Sequence, residues 1–169
     1  MTIDIAAVSI AFISLIVSIG AIIFARKSSK AANNIAKENL TLQHGMVELE
    51  MRTSIENAKS KISDITMIMA PLVAKEKENA DSMTGEEKET LNIYQKSFDS
   101  AVQTLMNTYD DACAKYIDGK VDKERFVKNY RVEIRRLLES EELKKYFDPL
   151  TSSYKPILKV YGEWENLEQ

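Results

Sequence analysis

Residues 6–25 read AAVSIAFISLIVSIGAIIFA, and how this stretch is read decides what the rest of the chain is for. From Ile5 to Ala25 there are 21 residues without a charge, and a helix needs about 20 apolar residues to cross the hydrocarbon core of a bilayer. Residues 1–25 are therefore expected to be a transmembrane anchor. A secretory signal carries its basic residues ahead of the apolar part, whereas here Met1 to Asp4 come first and Arg26, Lys27, Lys30 and Lys37 follow. Lys and Arg collect on the cytoplasmic flank of a span. The N-terminus is thus expected outside and residues 26–169 in the cytoplasm.

Within the same stretch, small side chains recur at steps of three and four: Ala7, Ala11, Ser14, Ser18, Ala21 and Ala25. The step continues beyond it through Ser28, Ala32, Ile35, Asn39, Leu42, Met46 and Leu49. In lipid, small residues let helix backbones approach closely. In water, a sustained seven-residue repeat of Ile, Leu and Met is the pattern of a helix against a parallel partner. One row running from bilayer to cytoplasm predicts a homo-oligomer. The competing explanations are that Ala and Ser are simply common in membrane helices and that Ile35, Leu42 and Leu49 pack on the chain's own bundle. A ring of copies could line a pore, gated where an apolar constriction dewets, or form a close-packed bundle with no lumen. The absence of charge inside the run argues against a proton relay or a voltage sensor.

The 144 residues after the anchor suit one hydrophobic core. A net charge of −3 implies neither a strongly basic nucleic-acid binder nor an acidic tail. Cys113 is the only cysteine, so there is no intrachain disulfide and no cysteine cluster for zinc or redox work. With five glycines, three prolines and no strand-like alternation, the fold is expected to be all-α, a bundle of four to five helices.

The breaks in this bundle are few. A long helix over 26–73 is expected to end or kink at Pro71, and residues 74–86 form a charged connector. Thr84 and Glu87 then stand in capping-box spacing, opening a helix whose inner row is Leu91, Tyr94, Phe98, Ala101, Leu105, Tyr109, Ala112 and Tyr116. Asp118-Gly119 closes it. Asp122 caps the next helix, with Val121 and Phe126 placed as a hydrophobic staple and Tyr130, Ile134, Leu137 and Leu138 facing inward. Ser140 is expected to cap a short piece over 141–147. The last helix takes Pro156 in its first turn and presents Ile157, Val160, Tyr161, Trp164 and Leu167.

Chemistry is sparse. His44 is the only histidine, which removes any His-pair metal site, and its place off the apolar row marks it as a surface residue. Asp110 and Asp111 are expected to solvate a helix face, for lack of neighbouring ligands. Lys128, Arg131 and Arg135 share a face with Arg136 beside them. That stripe could touch RNA or a partner protein, or form an ion-pair face, since Glu133, Glu139, Glu141 and Glu142 dilute it. No catalytic set, metal site or cofactor is expected.

The single N-terminal span, the small helical domain and the stretch YDDACAKYIDGKVDKERFVKNYRVEIRRLLES, residues 109–140, resemble the membrane-associated accessory proteins of type VI-B CRISPR systems. Their cytosolic part is similar to a divergent HEPN helical domain. The resemblance implies a pore-forming homo-oligomer in the bacterial inner membrane, activated when an RNA-guided RNA nuclease engages phage RNA, with depolarisation slowing infection. HEPN ribonucleases carry Arg, four to six residues, then His. No Arg stands at that distance ahead of His44, and no histidine follows Arg131, Arg135 or Arg136, so RNA cleavage is not expected. The chain reads as a non-enzymatic, self-assembling membrane effector. The alternative is an anchored adaptor whose helical domain recruits a cytosolic partner.

Overall fold

A computed structural model describes the backbone of residues 2–166 and the side chains of these residues apart from 2–17, 19, 80, 145 and 166. The described residues are all-α. α1 spans Thr2–Asn79, α2 Gly85–Ile117, α3 Lys123–Glu139 and α4 Lys155–Asn166, with single 3-10 turns at Ala80–Ser82 and Lys144–Tyr146. The chain forms two compact units, Met1–Gln43 and His44–Gln169.

The first unit is one helical segment of α1. From Gly20 to Gln43 all of its residues are exposed. Among the described residues no helix is long and apolar enough to cross a membrane. Most of the expected anchor, and with it Ala7, Ala11 and Ser14 of the small-residue row, lies outside the described side chains.

The second unit is a bundle. α1 contributes Met51, Ile55 and Ala58 to it, all buried, at steps of four and three. α2 adds Met106, Tyr109, Ala112, Cys113 and Tyr116, and α3 adds Phe126 and Ile134. α4 closes the core with Ile157, Val160 and Trp164. Phe126 is the aromatic centre: its ring lies 5.0 Å from both Tyr116 and Tyr130, and Trp164 meets Tyr116 edge-on at 5.9 Å, separations at which aromatic pairs attract. Cys113, the sole thiol, is fully buried in this core, and burial pushes its pKa up.

The helix ends follow local rules. Thr84 Oγ1 accepts from the Glu87 amide at 3.2 Å and Glu87 Oε2 accepts from the Thr84 amide at 2.8 Å, a complete capping box. α2 ends in a Schellman turn: Lys120 N–H donates to Lys115 O and Gly119 N–H to Tyr116 O. Gly119 holds φ +68°, the left-handed region in which a β-carbon clashes. Asp122 caps α3 through the Arg125 amide, and the staple pair Val121 and Phe126 is buried.

Two expectations are corrected. α1 neither stops nor yields to a connector at residue 74 but runs through Pro71 to Asn79. Proline removes one intrahelical donor there, while half-buried Leu72 and Val73 and the Lys75–Glu87 pair, at 2.7 and 2.8 Å, hold the following turns beside α2. Ser140 does not start a helix. It is the C-cap of α3, its amide donating to Arg136 O, and the stretch after it is built of turns.

Candidate functional site: an uncovered helix row and the polar joints of the bundle

Where α1 enters the bundle it has two apolar sides. Met51 and Ile55 are 2% and 1% exposed, whereas Met46 and Leu49 are 72% and 67% exposed. At about 100° per residue the two pairs lie roughly half a turn apart. Leu49 therefore does not pack on the chain's own bundle, which removes that explanation for this position. Ile35 and Leu42 are exposed as well, as are Ser18, Ala21, Ala25, Ser28, Ala32 and Asn39. Water-exposed Leu and Met at regular helical spacing are the kind of surface that marks a contact.

The four basic residues of the α3 stripe, Lys128, Arg131, Arg135 and Arg136, divide into two pairs. Arg131 donates to the Trp164 carbonyl at 3.4 Å, in the last turn of α4, where helix carbonyls lack internal partners. Arg135 donates to Glu165 at 2.5 Å and lies 3.9 Å from Glu139. Both are half-buried, while Lys128 and Arg136 are exposed. The stripe is thus a joint between α3 and α4 along half its length, with Tyr130 and Phe126 turned into the core.

Glu133 joins three helices. Its carboxylate accepts from the Tyr109 hydroxyl of α2 and, at 2.9 Å, from the Lys59 ammonium of α1. Burial by itself raises the Glu133 carboxyl, but the Tyr109 and Lys59 hydrogen bonds outweigh it, so its pKa falls below the usual carboxylate value. Burial, reinforced by Glu133, drives the Tyr109 phenol up. On Lys59 burial acts downward and Glu133 upward, and the net direction is up. A second chain of polar groups runs from Trp164 Nε1 to the Tyr116 hydroxyl at 3.4 Å and from that hydroxyl to Glu163 at 2.9 Å. The first chain ties α1, α2 and α3 together, and the second ties α2 to α4.

Asp110 differs from its expected role. Its carboxylate reaches from α2 to accept the Ile157 amide at 3.3 Å, satisfying one of the orphan donors in the first turn of α4. Burial, with Asp111 adding to it, raises its pKa. Asp111 pairs with Lys115 at 2.8 Å. His44 is half-buried. Among the described residues no group of three metal-ligating side chains comes together.

A cleft of about 250 Å³ lies between α1 and α3, edged by Arg52, Arg125, Asn129 and Tyr130. Arg125 within it is held by Glu48 at 3.5 Å and by Asp122 at 3.6 Å, and Glu48 also accepts the Asp122 amide, so the cleft is a third joint. None of these long-range joints was visible as a motif; their only sequence signal is a polar residue one step off an apolar row. Comparison of the chain with protein-family models, with curated proteins and with solved structures gave no match.

Proposed function

We propose that this chain is a self-assembling single-pass membrane protein whose copies meet along α1 to form an oligomeric pore. In the fuller form of the proposal it is an antiphage effector of the bacterial inner membrane, triggered by an RNA-guided RNA nuclease. The uncharged run Ile5–Ala25 and the cations after it support the anchor and its orientation. The observation that carries self-assembly is exposure: Ile35 and Leu42 of the first unit and Met46 and Leu49 of the second, which continue in the sequence the three-and-four step of the small residues, are 58%, 66%, 72% and 67% exposed. A helix that buries one apolar side in its own bundle and leaves another in water gains by covering the second against its equivalent in another copy.

The polar joints of the bundle support a rigid cytoplasmic body rather than a reaction centre, and the sequence holds no Arg-x4–6-His pair. The test combines two measurements on the full chain. Its mass in detergent is expected to be a multiple of 19.2 kDa, and liposomes carrying it are expected to release a trapped dye. Assembly without leakage supports the adaptor instead. A monomer at every concentration overturns the proposal.

A further inference from the structure

The first unit of α1 carries a second, chemically different face. Arg26, Lys30 and Lys37 lie along one open side of the helix, with Ser29 and Asn33 between them and Leu40 at its end. They recur at steps of four and seven, so they share a side, and at about 100° per residue that side lies roughly half a turn from Ser28, Ala32, Ile35 and Leu42. No acidic residue occurs between Asp4 and Glu38, and among the described residues no ion pair engages Arg26, Lys27, Lys30 or Lys37. The face is thus cationic, unneutralised and supplied with hydroxyl and amide donors, while the opposite row is uncharged.

We propose that this face binds the phosphate of anionic phospholipid headgroups, leaving the opposite row free for protein contact. The inference rests on the anchor reading. With the apolar run in the hydrocarbon, Arg26 stands at its edge and Lys30 about 6 Å further along, within the headgroup layer of about 5–8 Å. Lys37, about 17 Å from the edge, lies about one Debye length beyond that layer, where the field of an anionic leaflet still acts. Charge complementarity selects the ligand. Arg26 offers a planar fork of donors that matches a phosphate, and Ser29 and Asn33 add neutral donors. Phosphatidylglycerol supplies the anionic phosphate that this face lacks an internal partner for, and zwitterionic phosphatidylcholine offsets its phosphate with its own cation.

The test is native mass spectrometry of the full chain released from micelles doped equally with phosphatidylcholine and phosphatidylglycerol. Phosphatidylglycerol is expected to be retained preferentially. Each basic contact near an anionic surface is worth about fivefold, so Arg26→Gln with Lys30→Gln is expected to cut the preference by about twenty-five-fold and Lys37→Gln by less. Arg26→Lys with Lys30→Arg keeps the charge and is expected to keep most of the preference. Without any substitution, raising the salt before release is expected to weaken it. Equal retention of both lipids, an unchanged preference in the double Gln variant, or replacement of the lipid by an added RNA oligonucleotide overturns the proposal. Alkaline carbonate washing separates the two readings. A chain that stays in the membrane but shows no lipid preference keeps the anchor and loses the headgroup site, and a chain that washes off yet retains phosphatidylglycerol in micelles does the reverse.

Discussion

Glu133 is where α1, α2 and α3 are tied, and its chemistry sets a pH dependence. A carboxyl whose pKa is lowered on folding contributes stability that is present above its unfolded pKa and lost as the pH falls through the folded value; Glu133 is lowered from 4.5. Glu133→Gln is expected to cost about 1 kcal/mol near neutral pH, a modest figure because the Lys59 and Glu133 side chains are 35% and 38% exposed and water screens the pair. The cost should shrink as the pH falls below 4.5 and through the lowered folded value, where the wild-type carboxylate takes up its proton. Trp164 is the only tryptophan and is buried, so unfolding followed by its fluorescence at a series of pH values checks both statements. A variant as stable as wild type at pH 7 would mean that Glu133 ties nothing. Tyr109→Phe, which leaves the Lys59 contact in place, is expected to cost a similar amount with less change in the acid limb.

At the scale of elements, the helix ends were legible and the joints were not, for a physical reason. A capping box, a Schellman turn and a staple each involve residues within about six positions, so chain geometry alone selects the residue types that can form them. Thr84, Gly119, Asp122 and Val121 could therefore be read directly. The Lys59–Glu133, Asp110–Ile157 and Arg131–Trp164 contacts span 74, 47 and 33 residues, and nothing local to Glu133 or Asp110 tells which helix will face it. Pro71 misled in the opposite way. Its local cost is real, but half-buried neighbours and the Lys75–Glu87 pair sustain the helix beyond it. Two substitutions test this division. Gly119→Ala is expected to destabilise the bundle by roughly 1 kcal/mol, because φ is positive there. Pro71→Ala is expected to stabilise it, by up to about 3 kcal/mol, because alanine restores the missing donor within a helix that already continues. A loss of stability in Pro71→Ala would show that the proline ring packs usefully.

For the whole molecule, the central question is what covers the second apolar side of α1. Leu42→Glu combined with Leu49→Glu is expected to lower the mass of the detergent-solubilised particle while shifting Trp164-monitored stability by less than about 0.5 kcal/mol, since both sites are exposed. Ala11→Leu or Ser18→Leu is expected to weaken assembly from the membrane side by holding neighbouring backbones apart. If mass and stability fall together, the row belongs to the fold of the single chain and not to contacts between chains. The sequestered sulfur of Cys113 provides an independent clock for these experiments. A maleimide or disulfide reagent has one target in the chain, and that target is inaccessible and un-ionised while the helices stay closed. The alkylation rate therefore counts excursions of the bundle, and comparing it in dilute and concentrated micelles reveals whether neighbours restrain those excursions without any substitution being made.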